Sequence, residues 1–278
     1  MYDLLVAVIM GIVEGFTEYL PVSSTGHLIL TGNVLGFEGP KAESFEVIIQ
    51  LGAILAVVWL YREKFLYFLK VEPLIKKLKN LFLGSKEKVK GLTLVEITAG
   101  MIPAVILGFI LRDIIKSGFN PVTVAIGLIA GGILLIAVEK VKVKTTVSNV
   151  DDVTVKHAFM IGAMQCFSLW PGFSRSGATI SGGVFVGLDR KAAAEFSFIL
   201  AVPMMLAAST LEIKDVIATF SANDILQLLV GFVVSFIVAY ISIVYFIKLI
   251  SKVSFIPFAI YRFILAAVVI SFIIMQRL

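Results

Sequence analysis

The chain of 278 residues is 59% apolar and only 15% charged, and its mean hydropathy is +1.02. Soluble domains are typically about half apolar and a quarter charged, so this composition excludes an ordinary water-soluble enzyme and a disordered protein. The net charge of +5 arises from basic residues in the loops between apolar runs. This pattern is typical of membrane topology and not of a nucleic-acid-binding face, so no nucleic-acid partner is expected.

Two apolar regions, 2–36 and 155–188, are each interrupted by a polar stretch that contains glycine and proline. The interruptions are LPVSSTGH at 20–27 and PGFSRSG at 171–177. A helix broken in this way exposes backbone groups that hydrocarbon cannot satisfy, so each break must be buried in protein or line a wet cavity. We predict that both regions are re-entrant helical hairpins.

Six further segments are long and apolar enough to cross a bilayer, which takes about 20 residues. In chain order they are 45–61, 91–111, 119–138, 194–212, 225–247 and 254–275. Residues 63–90, between the first two, interleave apolar residues with lysines and predict an amphipathic helix on the inner leaflet, with a solvated loop as the alternative.

The two halves of the sequence resemble each other when one is shifted by 151 residues. The ungapped shift aligns Gly11 with Gly162, Ser23 with Ser174, Gly26 with Gly177, Gly32 with Gly183 and Gly36 with Gly187. We infer a duplication inside one integral membrane domain, 1–278, with repeat one at about 1–140 and repeat two at about 155–278. Each half holds one hairpin and three crossings, so the second is inverted relative to the first. The predicted fold class is therefore an all-α polytopic membrane protein with an inverted-topology repeat, six spanning helices and two re-entrant helical hairpins.

On this topology one side of the membrane collects 17 lysine and arginine residues and the other side five. The positive-inside rule makes the richer side cytoplasmic. We therefore expect a multi-pass protein of the cytoplasmic (inner) membrane with both termini outside.

Glu14 and Glu18 are four residues apart and share one face of a helix. Carboxylates this close in an apolar segment repel each other, so either one holds a proton or a cation lies between them, and a metal ion and an arginine are both candidates. Ionisable groups inside a membrane segment indicate a functional site. The alternative is that this segment lies at the interface, with both carboxylates in water.

The first break carries the hydroxyls of Ser23, Ser24 and Thr25 and the imidazole of His27. Helix capping accounts for one hydroxyl, whereas a hydroxyl beside a base and an acid is the arrangement of a nucleophile. The second break, SRSGAT at 174–179, combines hydroxyls, one guanidinium and the start of a helix. These groups together predict an anion site suited to phosphate, the alternative being an arginine anchored to helix carbonyls.

The alignment of the repeats puts Ser24 opposite Arg175, so equivalent positions carry a potential nucleophile and a cation. Arg262, inside the last span, is compatible with phosphate binding and with structural pairing, and the sequence does not choose between them.

These motifs resemble those of the undecaprenyl-diphosphate phosphatase family of the bacitracin-resistance type. EGFTE and LPVSSTGH, from Glu14 to His27, are similar to its first motif, and PGFSRSGAT, from Pro171 to Thr179, is similar to its second; FEVIIQLG at 45–52 also resembles the family. The likeness covers nearly the whole chain. It implies a membrane hydrolase that removes the terminal phosphate of undecaprenyl (C55) diphosphate and recycles the carrier lipid for peptidoglycan and envelope glycan synthesis. It further implies a divalent cation, Mg²⁺ or Ca²⁺, and a site open to the outer, periplasmic face.

Our hypothesis for the mechanism is that Ser24 attacks phosphorus, Glu14 and Glu18 hold the metal and supply a base, and Arg175 clamps phosphate. His27 shuttles a proton or hydrogen-bonds phosphate. His27 or an activated water is the alternative nucleophile. The expected phosphate-binding residues are Arg175, Ser174, Ser176, Thr179, Ser23 and Thr25.

A polyprenyl-phosphate flippase or transporter is the alternative function, because inverted repeats with broken helices are also transporter architecture. Membrane lipids are expected partners in either case, and the sequence leaves a homodimer open.

Overall fold

The computed structural model describes residues 2–84, 89–141, 143–219 and 224–275, and in these ranges the chain is mostly helical. The helices are α1 Tyr2–Thr17, α2 Ser24–Val34, α3 Pro40–Leu60, α4 Arg62–Phe68, α5 Val71–Leu83, α6 Leu94–Ile110, α7 Arg112–Ser117, α8 Pro121–Lys140, α9 Val155–Gln165, α10 Arg175–Phe185, α11 Arg190–Thr219, α12 Ile225–Ile250 and α13 Ile256–Ile274, with short 3-10 helices at Val150–Asp152 and Cys166–Leu169.

Within the described ranges, five helices are long and apolar enough to cross a membrane: α3, α8, α12, α13 and the Arg190–Thr210 part of α11. The chain is therefore a multi-pass membrane protein. The segment predicted as a span at 91–111 folds as α6, which is apolar but has only 17 residues. A helix of this length extends about 25 Å, somewhat less than the hydrocarbon thickness of about 30 Å. The count of six spans stays a prediction, as does the orientation, and residues 1 and 276–278 at the two ends lie outside the described ranges.

Both predicted breaks interrupt helices. The chain leaves α1 at Thr17 and starts α2 at Ser24, and it leaves the second 3-10 helix at Leu169 and starts α10 at Arg175. The helices on either side of each break pack on each other, α1 on α2 and α9 on α10. The two helical hairpins are therefore present, and their re-entry into one face of a membrane stays a prediction.

The two breaks share one backbone geometry. Ser23 and Ser174 are the non-glycine residues with positive φ in the described ranges, at 72° and 75°. Each hydroxyl caps the next helix by accepting a hydrogen bond from the N–H three residues later. Those helices, α2 and α10, have 11 residues each and are followed by left-handed glycines, Gly36 and Gly187. All these features recur at a spacing of 151 residues, which supports the duplication; the inverted relation of the halves stays a prediction.

Helix pairs from the two halves enclose the breaks. The pair α1 and α12 packs closely, as do α6 and α9, α3 and α12, α3 and α11, and α8 and α13. Glycines allow these close approaches: a Cβ atom added to Gly52 on α3 would lie 2.4 Å from the carbonyl oxygen of Phe232 on α12.

The segment predicted to be amphipathic folds as α4 and α5, and its residues 85–88 lie outside the described ranges. No residue of α5 is buried, and most of its apolar side chains are exposed. Ion pairs from Lys64 to Asp151 (2.6 Å) and from Lys77 to Glu96 (2.9 Å) hold the two helices to the rest of the molecule. The helical character is confirmed, and contact with the inner leaflet stays a prediction.

Gly52→Ala is expected to lower the free energy of unfolding by about 1–3 kcal/mol, because the added methyl group overlaps backbone that moves only if α3 and α12 separate. The measurement is denaturant unfolding of the purified protein in detergent. Gly108→Ala is the matched control, since its Cβ would meet Leu169 at an ordinary 3.4 Å. Equal stability of the two variants would contradict the packing described for α3 and α12.

Candidate active site

The two breaks meet at a polar cavity of about 240 Å³. The first break contributes Ser23, Ser24 and Thr25 to its wall, and the second contributes Ser174 and Arg175. Because α2 and α10 both begin at these residues, the N-termini of two helices lie at one cavity, and helix N-termini favour anions.

Glu18 connects the candidate nucleophile to the candidate cation. Its Oε2 atom accepts a hydrogen bond of 2.6 Å from the hydroxyl of Ser24, and its Oε1 atom accepts one of 3.0 Å from Nη2 of Arg175. The carboxylate is 8% exposed, so this ion pair is poorly screened by water. In this geometry Glu18 can receive the Ser24 proton while Arg175 stabilises the carboxylate.

Arg175 is held in a fixed orientation by two further contacts. Nη1 donates to the carbonyl oxygen of Ser197 at 3.1 Å, and the guanidinium carbon lies 5.8 Å from the centre of the Tyr19 ring. The Nε atom is buried without a hydrogen-bond partner. The guanidinium therefore retains donor capacity that these protein groups do not use.

Two of the predicted phosphate ligands, Ser176 and Thr179, are buried and lie off the cavity wall. The hydroxyl of Ser176 donates to the carbonyl oxygen of Leu20 at 2.8 Å, which joins the second break to the first. The hydroxyl of Thr179 donates to the carbonyl oxygen of Arg175 and lies 2.6 Å from the hydroxyl of Ser197. In this structure both residues bind protein groups, and their predicted contact with phosphate stays a prediction.

His27 also lies off the cavity wall. Its Nδ1 atom is 2.7 Å from the carbonyl oxygen of Ser23 and must donate there, because a carbonyl oxygen only accepts. Its Nε2 atom is 2.6 Å from the hydroxyl of Tyr261, and the two rings stack. Both ring nitrogens are engaged, so this conformation presents neither to Ser24 or to a bound phosphate; the role predicted for His27 stays a prediction.

Glu14 fits the partial coordination of a divalent cation. It is 1% exposed, one helical turn from Glu18, and its Oε1 atom has no hydrogen-bond partner. No group of three or more His, Cys, Asp or Glu residues in the described ranges could hold a metal alone. Mg²⁺, however, is usually bound by one or two carboxylates together with substrate phosphate oxygens and water. Glu14 does not line the polar cavity, and both oxygens of Glu18 already accept hydrogen bonds from Ser24 and Arg175. An ion between the two glutamates would have to replace one of these bonds, and Mg²⁺ or Ca²⁺ stays a prediction.

Several residues at the site were not assigned from the sequence. Gln50 and Ser168 line the cavity, and Tyr19 lies against Arg175. Gln50 belongs to the 45–52 segment that resembles the family, and this resemblance could have identified it.

Arg262 has a structural role in this molecule. Its side chain is fully buried and donates to carbonyl oxygens of both breaks, including that of Pro21. Of the two interpretations that the sequence left open, phosphate binding and structural pairing, the structure shows the second.

A larger apolar cavity of about 610 Å³ adjoins the polar one. The two share Ile115, Leu169 and Pro171 as wall residues, and Ile126 and Ala130 on α8 line the apolar part. A polar cavity thus lies directly beside an apolar one.

Comparison with known families agrees with these motifs. A family model described as bacitracin resistance protein BacA matches residues 7–268. The match spans both breaks and every residue of the site. The chain therefore belongs to the BacA family of undecaprenyl-diphosphate phosphatases, which confirms the resemblance drawn from the motifs.

Removing either partner of the Glu18–Arg175 pair is expected to cost about 3–5 kcal/mol of unfolding free energy, because an unpaired charge remains buried. The double variant Glu18→Gln, Arg175→Met is expected to lose less than the sum of the two single variants. Denaturant unfolding in detergent provides all four values.

The pair formed by Arg190 and Glu139 is the matched control for this cycle. The Arg190 side chain is 33% exposed, so its single variants are expected to cost less. Additive losses at Glu18 and Arg175 would show that the two residues are not paired.

Proposed function

We propose that this chain hydrolyses undecaprenyl diphosphate to undecaprenyl phosphate and phosphate, and so recycles the carrier lipid for peptidoglycan and envelope glycan synthesis. The observation that carries the proposal is the contact of one buried carboxylate, Glu18, with both the Ser24 hydroxyl and the Arg175 guanidinium. Membership of the BacA family supports the same reaction class. The site would work in the inner membrane and open to its outer face.

In the proposed complex the diphosphate lies in the polar cavity, at the N-termini of α2 and α10. Backbone N–H groups, the guanidinium of Arg175 and the hydroxyls of Ser23, Thr25 and Ser174 are the available donors. The polyprenyl chain leaves through the adjoining apolar cavity. Because bilayer lipid is as apolar as this cavity, the cavity selects the chain by packing and not by removal from water.

The Ser24 oxygen attacks the terminal phosphorus and transfers its proton to Glu18. The bond between that phosphorus and the bridging oxygen breaks, undecaprenyl phosphate leaves with the proton that Glu18 received, and a phosphoseryl intermediate forms. Water then attacks the intermediate and gives its proton to Glu18. The bond between Ser24 and phosphorus breaks, inorganic phosphate is released, and the Ser24 oxygen recovers its proton from Glu18. Arg175 neutralises the charge that develops on the phosphoryl oxygens.

The engaged ring nitrogens of His27 favour Ser24 over His27 as the nucleophile. Direct attack by a water activated by Glu18 is the alternative that the geometry also permits. A divalent cation at Glu14 and Glu18 would supply further neutralisation of the phosphate charge.

Purified protein in detergent is expected to release phosphate from a C55 or soluble C15 polyprenyl diphosphate, and chelation is expected to reduce the rate. Ser24→Ala, Glu18→Ala and Arg175→Ala are each expected to lower kcat by about 10²-fold or more, the loss typical of groups that act in the transition state. Ser181→Ala is the matched control, because this buried hydroxyl on α10 lies off the cavity wall and has no hydrogen-bond partner.

Absence of phosphate release from folded wild-type protein would contradict the phosphatase and favour the flippase, since no transport can occur in detergent. The same residues would then form a lipid-phosphate binding site.

Ala130→Trp is expected to raise KM for the C55 substrate by about tenfold, equivalent to about 1.4 kcal/mol of lost chain binding, and to change KM for the C15 substrate less. The new indole fills the apolar cavity, which a longer chain needs more. Ala207→Trp is the control, because Ala207 is an exposed position on α11 that does not line the cavity. Equal effects on both substrates would show that the chain lies elsewhere.

A further inference from the structure

We propose that Arg262 is a positioning residue for this reaction: its guanidinium bridges the two breaks and fixes Ser24 relative to Arg175. The proposal rests on the proposed function for its catalytic consequence, whereas the bridge itself is a property of the structure.

The bonding of Arg262 is unusual for a buried cation. Its side chain is fully buried on α13, and among the ion pairs of the described residues none includes it. All its hydrogen-bond partners are backbone carbonyl oxygens: Pro21 (3.4 Å), Gly127 (3.1 Å), Leu128 (3.1 Å), Gly172 (3.0 Å) and Phe173 (2.8 Å). A buried charge without a counter-ion is costly, so the carbonyl dipoles must compensate it.

These carbonyls come from both breaks. Pro21 lies in the first break, three residues before Ser24, and Phe173 lies in the second, two residues before Arg175. The carbonyls of Gly127 and Leu128 belong to α8 and anchor the same guanidinium to a spanning helix. One planar fork with five donors in fixed directions therefore determines the relative position of the two breaks, and the three flexible donors of a lysine cannot reproduce it.

The neighbouring helix leaves room for the guanidinium. A Cβ atom on Gly131 of α8 would lie 2.2 Å from Nη2 of Arg262 and 2.5 Å from the carbonyl oxygen of Phe173. Any side chain here would displace either the fork or the second break. The absence of a side chain at Gly131 is therefore required for the bridge. Replacing Gly131 is expected to displace the bridge while the positive charge of Arg262 remains.

The hydrogen bonds of Arg262 also affect the electrostatics of the cavity. Gly172 lines the cavity, but its carbonyl oxygen accepts a hydrogen bond from Arg262 and therefore does not face a phosphate there. The bridge thus keeps negatively polarised oxygens away from the phosphate site. It also sets the distance between the Ser24 hydroxyl and the Arg175 guanidinium. A displacement of about 1 Å between reacting groups can reduce a rate by about 10²-fold.

The test compares Arg262→Lys, Arg262→Gln and Gly131→Ala with wild type and with Gly108→Ala. Gly108 lies on α6, where the added Cβ would meet Leu169 at an ordinary 3.4 Å and would not touch the bridge. Two quantities are measured on folded protein in detergent: kcat and KM for phosphate release, and amide hydrogen exchange of peptides that cover the two breaks, α3 and α12.

We expect kcat to fall about 10²-fold in the first three variants, KM to change less than about threefold, and exchange to accelerate in both breaks together but not in α3 or α12. Gly108→Ala is expected to behave like wild type in both measurements.

Wild-type kcat in Arg262→Lys would overturn the proposal, since the fork would then be dispensable. A raised KM with unchanged kcat would assign Arg262 to anion binding by charge, and faster exchange throughout the molecule would assign it to general stability. If wild-type protein released no phosphate, the proposed function would fail, and hydrogen exchange confined to both breaks in the variants would still uphold the bridge.

Discussion

Two broken helices can lie inside an apolar bundle only if their free backbone groups find partners, because neither hydrocarbon nor aliphatic side chains offer any. In this molecule those partners come from across the structure. Arg262 on α13 donates to carbonyls of both breaks, and the Ser176 hydroxyl of the second break donates to Leu20 of the first. The bonds that satisfy each break therefore also tie it to the other. The location of the polar cavity follows from this constraint, since the cavity lies where the two breaks meet.

The two breaks share one backbone geometry and differ in the side chains that they carry. Ser23 and Ser174 place α2 and α10 in the same local geometry, so the residues that follow them begin two equivalent helices at one cavity. In the first repeat that residue is Ser24, which carries a hydroxyl; in the second it is Arg175, which carries a cation. Glu18 in the first repeat has Leu169 as its equivalent in the second. The two breaks thus have similar backbones but different side chains, and an acid, a hydroxyl and a guanidinium come together at the one cavity between them.

The sequence predicts those parts of the site that depend on local pattern. Proline, glycine and serine interrupt apolar runs at both breaks, and the structure breaks its helices there. The predicted span at 91–111 is present as the shorter helix α6, which begins at Leu94 because Thr93 and Glu96 form a capping box there. The partner of His27, Tyr261, lies 234 residues away, and the carbonyl partners of Arg262 carry no side-chain signature. Contacts between residues this far apart in the chain produce no regular sequence pattern, so they could not be predicted from the sequence.

The central claim is that Ser24, activated by Glu18, attacks phosphorus. Rapid quenching of the wild-type protein with a diphosphate radiolabelled in its terminal phosphate tests this most directly. The account predicts a transient label on the peptide that contains Ser24, which is absent in Ser24→Ala. Full turnover by Ser24→Ala, without any labelled intermediate in the wild type, would contradict it and assign the attack to water.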